Sequence, residues 1–195
     1  MDSGLRFNER YRERLLLPGG QPVVLRLVRP ADKERLRQGF LNLSAASRQK
    51  RFLAGKQSIS EAELRYFTEL DQTNHFAIGV VELDAAGEEG EGVGVARFIR
   101  LPDNPECAEV ALTVIDRMQG QGVGRILLEK LVAAAVERRV RRFRFECLPQ
   151  NTEIQRLVQK VCHVVEMVNE SGTMVAEVEL PTERLAKILF EDRIS

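Results

Sequence analysis

Short apolar runs, rich in β-branched and aromatic residues, recur along this chain and predict a sheet. In VVLRLV, AEVALTVI and FRFECL, apolar and polar residues are arranged as in half-buried strands. The glycine- and acid-rich segment DAAGEEGEG suits an exposed hairpin loop. Strands are predicted at 23–28, 75–83, 93–101, 108–115, 143–148, 163–168 and 173–180.

Helical periodicity and capping residues place the predicted helices between these strands. Ser44 is a candidate cap for a short helix, and Ser60 with Glu63 forms the capping-box pattern that opens another. Residues 1–17 are expected to form a short amphipathic helix or a loose arm, and Pro181 to start a last helix. The other helices are predicted at 31–42, 44–52, 60–70 and 152–161, and after the glycine loop to about 139.

The order of these elements indicates the fold class. A helical lead-in is followed by three successive strands, and then strands and helices alternate. This order fits an α/β (or α+β) mixed sheet with helices on both faces. A length of 195 residues suits one domain, since domains usually have ~100–200 residues.

The composition excludes several classes of function. The 29 basic and 29 acidic residues cancel, so no overall field favours nucleic acid or an anionic membrane as a partner. Cys107, Cys147 and Cys162 form no CxxC pair, and His75 and His163 are not spaced as metal ligands. We therefore expect reduced thiols, a cytoplasmic location and no metal. No apolar stretch reaches the ~20 residues that span a bilayer.

The segment TVIDRMQGQGVGRILLEKL, residues 113–131, joins a strand to a helix through a glycine loop. Such a loop is typical of a phosphate site, because free amides and the helix dipole face the ligand. The Walker pattern fails, because the loop lacks its Lys-Ser/Thr pair. The Rossmann pattern GxGxxG can start at Gly120, with Glu146 as the ribose-binding acid. Its third small position is Arg125, however, which prevents close packing of helix and strand.

A third pattern, Gln/Arg-x-x-Gly-x-Gly/Ala, is met by Gln119, Gly122 and Gly124. With these residues the chain resembles the GNAT superfamily of acyl-CoA-dependent N-acyltransferases. The resemblance covers about residues 22–180. It includes the strand AEVALTVI, the loop DRMQGQGVG, the helix RILLEKLVAAA, the strand FRFECL and an Asn151 that opens a helix.

Within that superfamily, the LRLVRPAD start and the CAEVALTV strand look most like bacterial protein lysine acetyltransferases. The resemblance implies the GNAT fold, a central mixed, mostly antiparallel sheet flanked by helices. It divides the chain into an N-terminal arm at 1–21, an acyltransferase domain at 22–180 and a C-terminal helix or tail at 181–195.

The resemblance also implies acetyl-CoA as the co-substrate. The family binds the pyrophosphate on the loop amides and lays the pantetheine arm along the preceding strand like an added strand. Leu112 or Thr113 is then expected near the thioester. The cofactor-binding residues implied in this way are Val114, Ile115, Gln119, Gly120, Gln121, Gly122, Val123, Gly124, Arg125 and Asn151.

The acceptor amine needs a base, because a lysine ammonium with a pKa of ~10.4 is almost fully charged at neutral pH. Glu109, at the start of the thioester-binding strand, resembles the family's general-base glutamate, which often acts through a water. Ala111 and Thr113, which share its face of the strand, are small and leave room for a substrate. Glu146 on the neighbouring predicted strand is the second candidate.

The sequence departs from the family pattern at two places. Many members have a tyrosine acid where this chain has Val158, and Tyr11 and Tyr66 are far away in sequence. The usual Gly-Phe at the end of that helix is Cys162-His163. A thiol with a pKa near ~8.5 is a tolerable leaving group unaided, so activity is still expected.

These observations predict a cytoplasmic N-acetyltransferase that moves an acetyl group from acetyl-CoA to a primary amine by direct attack in a ternary complex. A protein lysine is the expected acceptor, and no nucleic acid or membrane partner is expected. Two alternatives stay open: a small-molecule amine N-acetyltransferase, and a non-catalytic CoA-binding sensor or interaction module. No motif identifies the acceptor or the oligomeric state.

Overall fold

Eight strands of the chain form one sheet in the structure, a computed structural model that describes residues 4–53 and 55–182. The strands are β1 (Arg12–Leu16), β2 (Pro22–Leu27), β3 (His75–Leu83), β4 (Glu89–Leu101), β5 (Asn104–Val114), β6 (Arg142–Cys147), β7 (His163–Glu170) and β8 (Thr173–Glu179). The described α-helices are α1 (Lys33–Leu41), α2 (Ala45–Phe52), α3 (Glu61–Thr68), α4 (Val123–Glu137) and α5 (Thr152–Val161).

The order of strands across the sheet is β1-β2-β3-β4-β5-β6-β8-β7. Within the described sheet, β5 and β6 are the only parallel neighbours, and the other pairs are antiparallel. Parallel neighbours need a crossover, and α4 provides it. The expected mixed, mostly antiparallel sheet flanked by helices is confirmed.

The pairing between β5 and β6 ends before either strand does. The last paired residues are Val110 and Phe145, whereas β5 continues to Val114 and β6 to Cys147. The two strands therefore diverge, and a wedge-shaped space opens between them.

The two faces of the sheet carry different helices. Helix α4 is apolar along nearly its whole length and packs on β3, β4 and β5. Beneath it, Phe76 stacks on Phe98 with ring centroids 5.3 Å apart, and Phe98 contacts Phe143 at 6.0 Å. Because side chains alternate along a strand, Arg97 points to the opposite face, where its guanidinium lies over Phe67 of α3.

A buried ion-pair cluster links β2, the turn before α1, and β4. The Arg26 side chain, only 2% exposed, donates to both carboxylate oxygens of Asp32 at 2.7 Å and to Glu89 at 2.7–3.1 Å. Asp32 also accepts from the Arg29 amide at 2.8 Å. Every charge in this cluster is paired, which is the condition under which charges persist in a protein interior.

The expectation of a helix or loose arm over residues 1–17 is wrong at 12–16, which form β1. This strand pairs with β2 over its whole length, and Leu16 stays 74% exposed at the sheet edge. Glu13 anchors the strand by accepting from Lys130 of α4 at 2.9 and 3.0 Å. Phe7 and Tyr11, which precede it, are buried in the core.

Most other boundaries agree with the sequence-based expectations within a few residues. Helix α5 has the predicted ends, whereas β4 and β5 each start four residues earlier than predicted, at Glu89 and Asn104. The helix expected from Pro181 lies outside the described residues, apart from its first two positions. In the described part of the chain, no helix is long and apolar enough to cross a membrane.

Candidate active site

The space between the diverging ends of β5 and β6 is a cleft of about 700 Å³. Its walls come from β5, β6, the glycine loop, α2 and the first turns of α5. Of the predicted site residues, it is lined by Glu109, Val114, Gln119, Gly120, Gly122, Gly124, Arg125 and Asn151, and also by Glu146.

The main chain of β5 faces the cleft at alternate residues. The Ile115 amide donates to the Val93 carbonyl at 3.0 Å, so Ile115 and Thr113 point their main-chain groups toward β4. Leu112 and Val114 therefore point theirs into the cleft, where β6 no longer pairs with them. The Val114 carbonyl accepts from the Gln119 side chain at 3.0 Å. This edge is open to an added strand-like ligand.

Three of the predicted cofactor residues, Ile115, Gln121 and Val123, do not line the cleft. The Ile115 side chain is buried, and its carbonyl accepts from the Met118 amide at 3.0 Å. The Val123 side chain is buried in the core, and Gln121 donates to the Arg117 carbonyl at 2.8 Å. The side chains of Ile115 and Val123 therefore cannot reach a ligand in the cleft, and only their main-chain atoms can contact it.

The glycine loop turns sharply into α4. Gly120 and Gly122 have φ angles of +74° and +85°, which residues with a side chain rarely adopt. The first helical bond of α4 runs from the Ile126 amide to the Gly122 carbonyl at 3.0 Å. The amides of Val123 and Gly124 consequently have no partner inside the helix, and they are available to an anion.

Arg125 and Asn151 lie at the starts of two different helices that border the cleft. The Arg125 guanidinium donates to Glu129 at 2.7 Å and is about half exposed. Asn151 precedes α5, and its side-chain amide makes no hydrogen bond with the described part of the chain. Both side chains line the cleft, so they can contribute a charge and a polar group to a bound phosphate or pantetheine.

Glu109 lies on β5 at the mouth of the cleft, paired with Ile99 of β4 and Arg144 of β6. Its carboxylate is exposed and forms no hydrogen bond or ion pair with any residue at 4–53 or 55–182. The other candidate base, Glu146, accepts a hydrogen bond from Arg144 at 3.2 Å. Of the two candidate bases, Glu109 is therefore the one whose carboxylate has no partner among the described residues.

Helix α2 closes the cleft on the side of the sheet opposite to α4. Ser44 and Ser47, at its start, donate to Asp116 at 2.7 and 2.9 Å. Lys50 pairs with Glu153 of α5 at 2.6 Å and so links the two helices. These contacts were not predicted, because they join residues that are remote in sequence.

Two arginines in the cleft wall were also not predicted as site residues. Arg97 of β4 and Arg51 of α2 both line the cleft. In the sequence, Arg97 alternates with Ala96 and Phe98 and so looks like an ordinary exposed strand residue. Helices α2 and α3 cover it, and it is only 3% exposed.

The cysteines and Val158 do not supply chemistry to the cleft. Burial raises the pKa of the Cys162 thiol to about 12 and also raises that of Cys147, so both stay protonated and poorly nucleophilic. Val158 is 2% exposed and packs in the core. Within the described ranges, no group of histidine, cysteine or carboxylate side chains could hold a metal ion.

Comparisons with known proteins identify the family of this chain. A model of the acetyltransferase (GNAT) family matches residues 44–163. The acetyltransferase Pat of Mycolicibacterium smegmatis is 32% identical over 162 residues, which cover 83% of this chain and 47% of Pat. The acetyltransferase PA5475 of Pseudomonas aeruginosa is 34% identical over 120 residues, which cover 61% of this chain and 62% of that protein.

Among solved structures, the GNAT domain of S. lividans PAT is similar over most of the fold. Its TM-score is 0.78 at 26% sequence identity, and the match covers 89% of this chain and 99% of that domain. The chain thus spans about half the length of Pat (47%) but nearly all of the isolated domain. GNAT acetyltransferases use an acyl-CoA donor and an amine acceptor. This chain belongs to the acetyltransferase (GNAT) family.

Proposed function

We propose that this protein transfers an acetyl group from acetyl-CoA to a lysine side chain of another protein, by direct attack in a ternary complex. The observation that carries the proposal is the arrangement of one cleft. An unpaired β5 edge, a helix N-terminus with free amides and the free Glu109 carboxylate all meet there.

The donor is held by main-chain groups. The pyrophosphate fits the amides of the loop and of the first turn of α4, where the helix dipole favours negative charge. The pantetheine arm lies beside Leu112 and Val114 of β5, like an added strand. We assign the Leu112 amide, which faces the cleft, to the thioester carbonyl. An amide that stabilises negative charge on that oxygen typically contributes about 3–4 kcal/mol to catalysis.

The acceptor is activated by Glu109. A lysine ammonium loses one proton to the carboxylate, directly or through a water, and the neutral nitrogen then attacks the thioester carbon. The C–N bond forms and the C–S bond breaks, and the electron pair leaves with sulfur as the thiolate. The second amine proton goes to solvent or to the thiolate. Because Glu109 is exposed at the cleft mouth, a lysine on a protein surface can reach it.

Mass spectrometry of candidate acceptors after incubation with acetyl-CoA tests this proposal. The panel contains lysine-bearing proteins, lysine peptides, polyamines and free amino acids, each with wild-type protein and with Glu109→Gln. We expect acetylated lysine side chains that depend on Glu109. Acetylation confined to polyamines or amino acids would assign a small-molecule acceptor, and binding of acetyl-CoA with no acetylated product would assign a non-catalytic CoA-binding role.

A further inference from the structure

Two positive charges without a counter-ion lie in the wall of the cleft. The Arg97 guanidinium donates to the Phe67 carbonyl, contacts His75 Nε2 at 3.3 Å and lies 4.5 Å above the Phe67 ring. Arg51 lies over the ring of Phe52 at 4.9 Å. Neither guanidinium has a carboxylate partner among the residues that the structure describes.

Both groups are charged at neutral pH. Burial lowers the pKa of Arg97 to about 9, with a further contribution from the charge of Arg51, and burial lowers the pKa of Arg51 to about 10. Burial, together with the Arg97 charge, lowers the pKa of His75 to about 4, so the imidazole is neutral and its Nε2 can accept from Arg97. No group in contact with Arg97 therefore carries a negative charge.

The other buried cations in the described part of the chain each have a carboxylate partner, including Arg138, which lies 3.7 Å from Glu137. Arg26 has Asp32 and Glu89, and Lys130 has Glu13. An uncompensated buried charge is costly, and the repulsion between two neighbouring guanidinium groups adds to that cost. The arginine pair is therefore the place in this cleft where a bound anion would remove an unfavourable interaction.

The arginine pair lies beside the part of β5 that carries Glu109 and Leu112. Arg97 pairs with Ala111 of β5, the residue before Leu112, and it projects from the same face as Glu109. Ile99, the next residue on that face of β4, pairs with Glu109 itself. The cleft thus presents a carboxylate and, one step along the strand, two guanidinium groups. This arrangement complements a substrate that carries an amine and a nearby carboxylate.

We propose that Arg51 and Arg97 bind a carboxylate of the substrate next to the thioester. This inference rests on the proposed function and states which substrates the protein prefers, those with a carboxylate near the reacting group. The carboxylate has two sources, an acidic group of the acceptor near the reacting amine or the far end of a dicarboxylic acyl chain on CoA. The chemistry of recognition is the same in both, because guanidinium groups form paired, charge-assisted hydrogen bonds with carboxylates.

Two pairs of probes separate these sources. In the acceptor arm, Nα-acetyl-lysine, whose carboxylate is free, is compared with its amide, which lacks the carboxylate, in the presence of CoA. In the donor arm, succinyl-CoA is compared with butyryl-CoA, which has the same chain length and no carboxylate. Calorimetry gives the Kd for each probe without requiring turnover, and CoA release gives kcat/KM.

We expect the carboxylate-bearing probe to bind at least about tenfold more tightly in one arm, the effect of one charge-assisted hydrogen bond. Arg97→Gln and Arg51→Gln should each reduce that preference to about threefold or less. Arg48→Gln is the matched control. This arginine also lies on α2, its guanidinium is 5.4 Å from the ring of Phe40, and it is outside the cleft.

The result that overturns the inference is equal binding, by the wild type, of the probes with and without the carboxylate in both arms. A preference that survives both arginine substitutions overturns it as well. A carboxylate preference that depends on the arginines, without CoA release from any amine, supports this carboxylate site and contradicts the transferase function. The two proposals can therefore fail separately.

Discussion

At the scale of single residues, the proposed chemistry depends most on Glu109, whose carboxylate is free where that of Glu146 is engaged by Arg144. We predict that Glu109→Gln lowers kcat by about 10²–10⁴-fold, the usual contribution of a positioned base, and changes the shape of the pH–rate profile. The Kd of acetyl-CoA should be unchanged, because Glu109 lies at the acceptor end of the cleft.

Glu146→Gln is the matched control, and we expect its kcat to stay within about threefold of wild type, since the charge that it removes is already paired with Arg144. Full activity of Glu109→Gln at every pH would show that another group, or solvent alone, accepts the proton.

The two glycines at the start of α4 should respond differently to substitution. At Gly122, φ is +85°, and an alanine there costs about 1–2 kcal/mol of strain. At Gly124, an added Cβ meets its nearest neighbour, the Leu157 side chain, at an ordinary 3.4 Å. We predict that Gly122→Ala weakens acetyl-CoA binding several-fold in calorimetry, because it moves the anion-binding amides, and that Gly124→Ala changes it little. Equal weakening by both would contradict the assignment.

Sequence patterns identify some of these residues as candidates and miss others. The glycine loop is recognisable because its spacing along one segment sets its geometry, and the family resemblance adds Glu109 and Asn151 as candidates. Arg51 and Arg97 could not be identified in this way. Each looks like a solvent-exposed cation in its own element, and only the packing of α2 and α3 over β4 encloses them in the cleft.

At the scale of elements, helix α2 is held over the cleft by Asp116, which follows β5. Asp116 accepts from the Ser44 amide at 2.9 Å, from the Ser44 hydroxyl at 2.7 Å and from the Ser47 hydroxyl at 2.9 Å. We predict that Asp116→Ala speeds hydrogen exchange of the α2 amides and raises the KM for acetyl-CoA. Each lost bond contributes about 1 kcal/mol to holding the helix in place.

Asp103→Ala, in the exposed turn between β4 and β5, is the corresponding control, and the exchange of α2 should not respond to it. Unchanged protection of α2 in Asp116→Ala would mean that apolar packing alone positions the helix.

The helices were predicted more accurately than the edge strand, for a physical reason. A cap is a contact within a few residues, as when the Ser44 and Ser60 side chains each accept from the amide three positions ahead. Strand β1 depends instead on a partner, because RERLL is only half-buried and becomes a strand by pairing with β2. Nothing within those five residues predicts that pairing.

At the scale of the whole molecule, stability in acid should depend on the cluster around Arg26. The hydrogen bonds from Arg26 lower the pKa of Glu89 from 4.5 to about 2. A carboxyl whose pKa is lower in the folded state stabilises the fold above its unfolded pKa, and that contribution is lost as the pH falls toward 2. The shift corresponds to about 3 kcal/mol.

Urea unfolding between pH 7 and pH 3 measures this contribution. We predict that Glu89→Gln is less stable than wild type at pH 7 and that its stability falls less steeply below about pH 4.5, near the unfolded pKa. Glu88→Gln, an exposed neighbour, should behave as wild type. Parallel pH profiles for wild type and Glu89→Gln would contradict the role of this cluster.

The overall topology could be predicted from the order of elements together with the glycine motif, whereas the shape of the cleft could not. The divergence of β5 from β6 after Val110 and Phe145 depends on the register of two strands separated by a helix. No local pattern sets that register. It is nevertheless what leaves the main chain of Leu112 and Val114 open to a ligand.

The most direct test of the account is amine-dependent release of CoA from acetyl-CoA, measured while the concentrations of acetyl-CoA and a lysine peptide are both varied. Direct attack in a ternary complex predicts release only when the peptide is present, with double-reciprocal lines that intersect. Release of CoA without the peptide, with parallel lines and an acetylated protein intermediate, or tight binding of acetyl-CoA with no release at all, would contradict it.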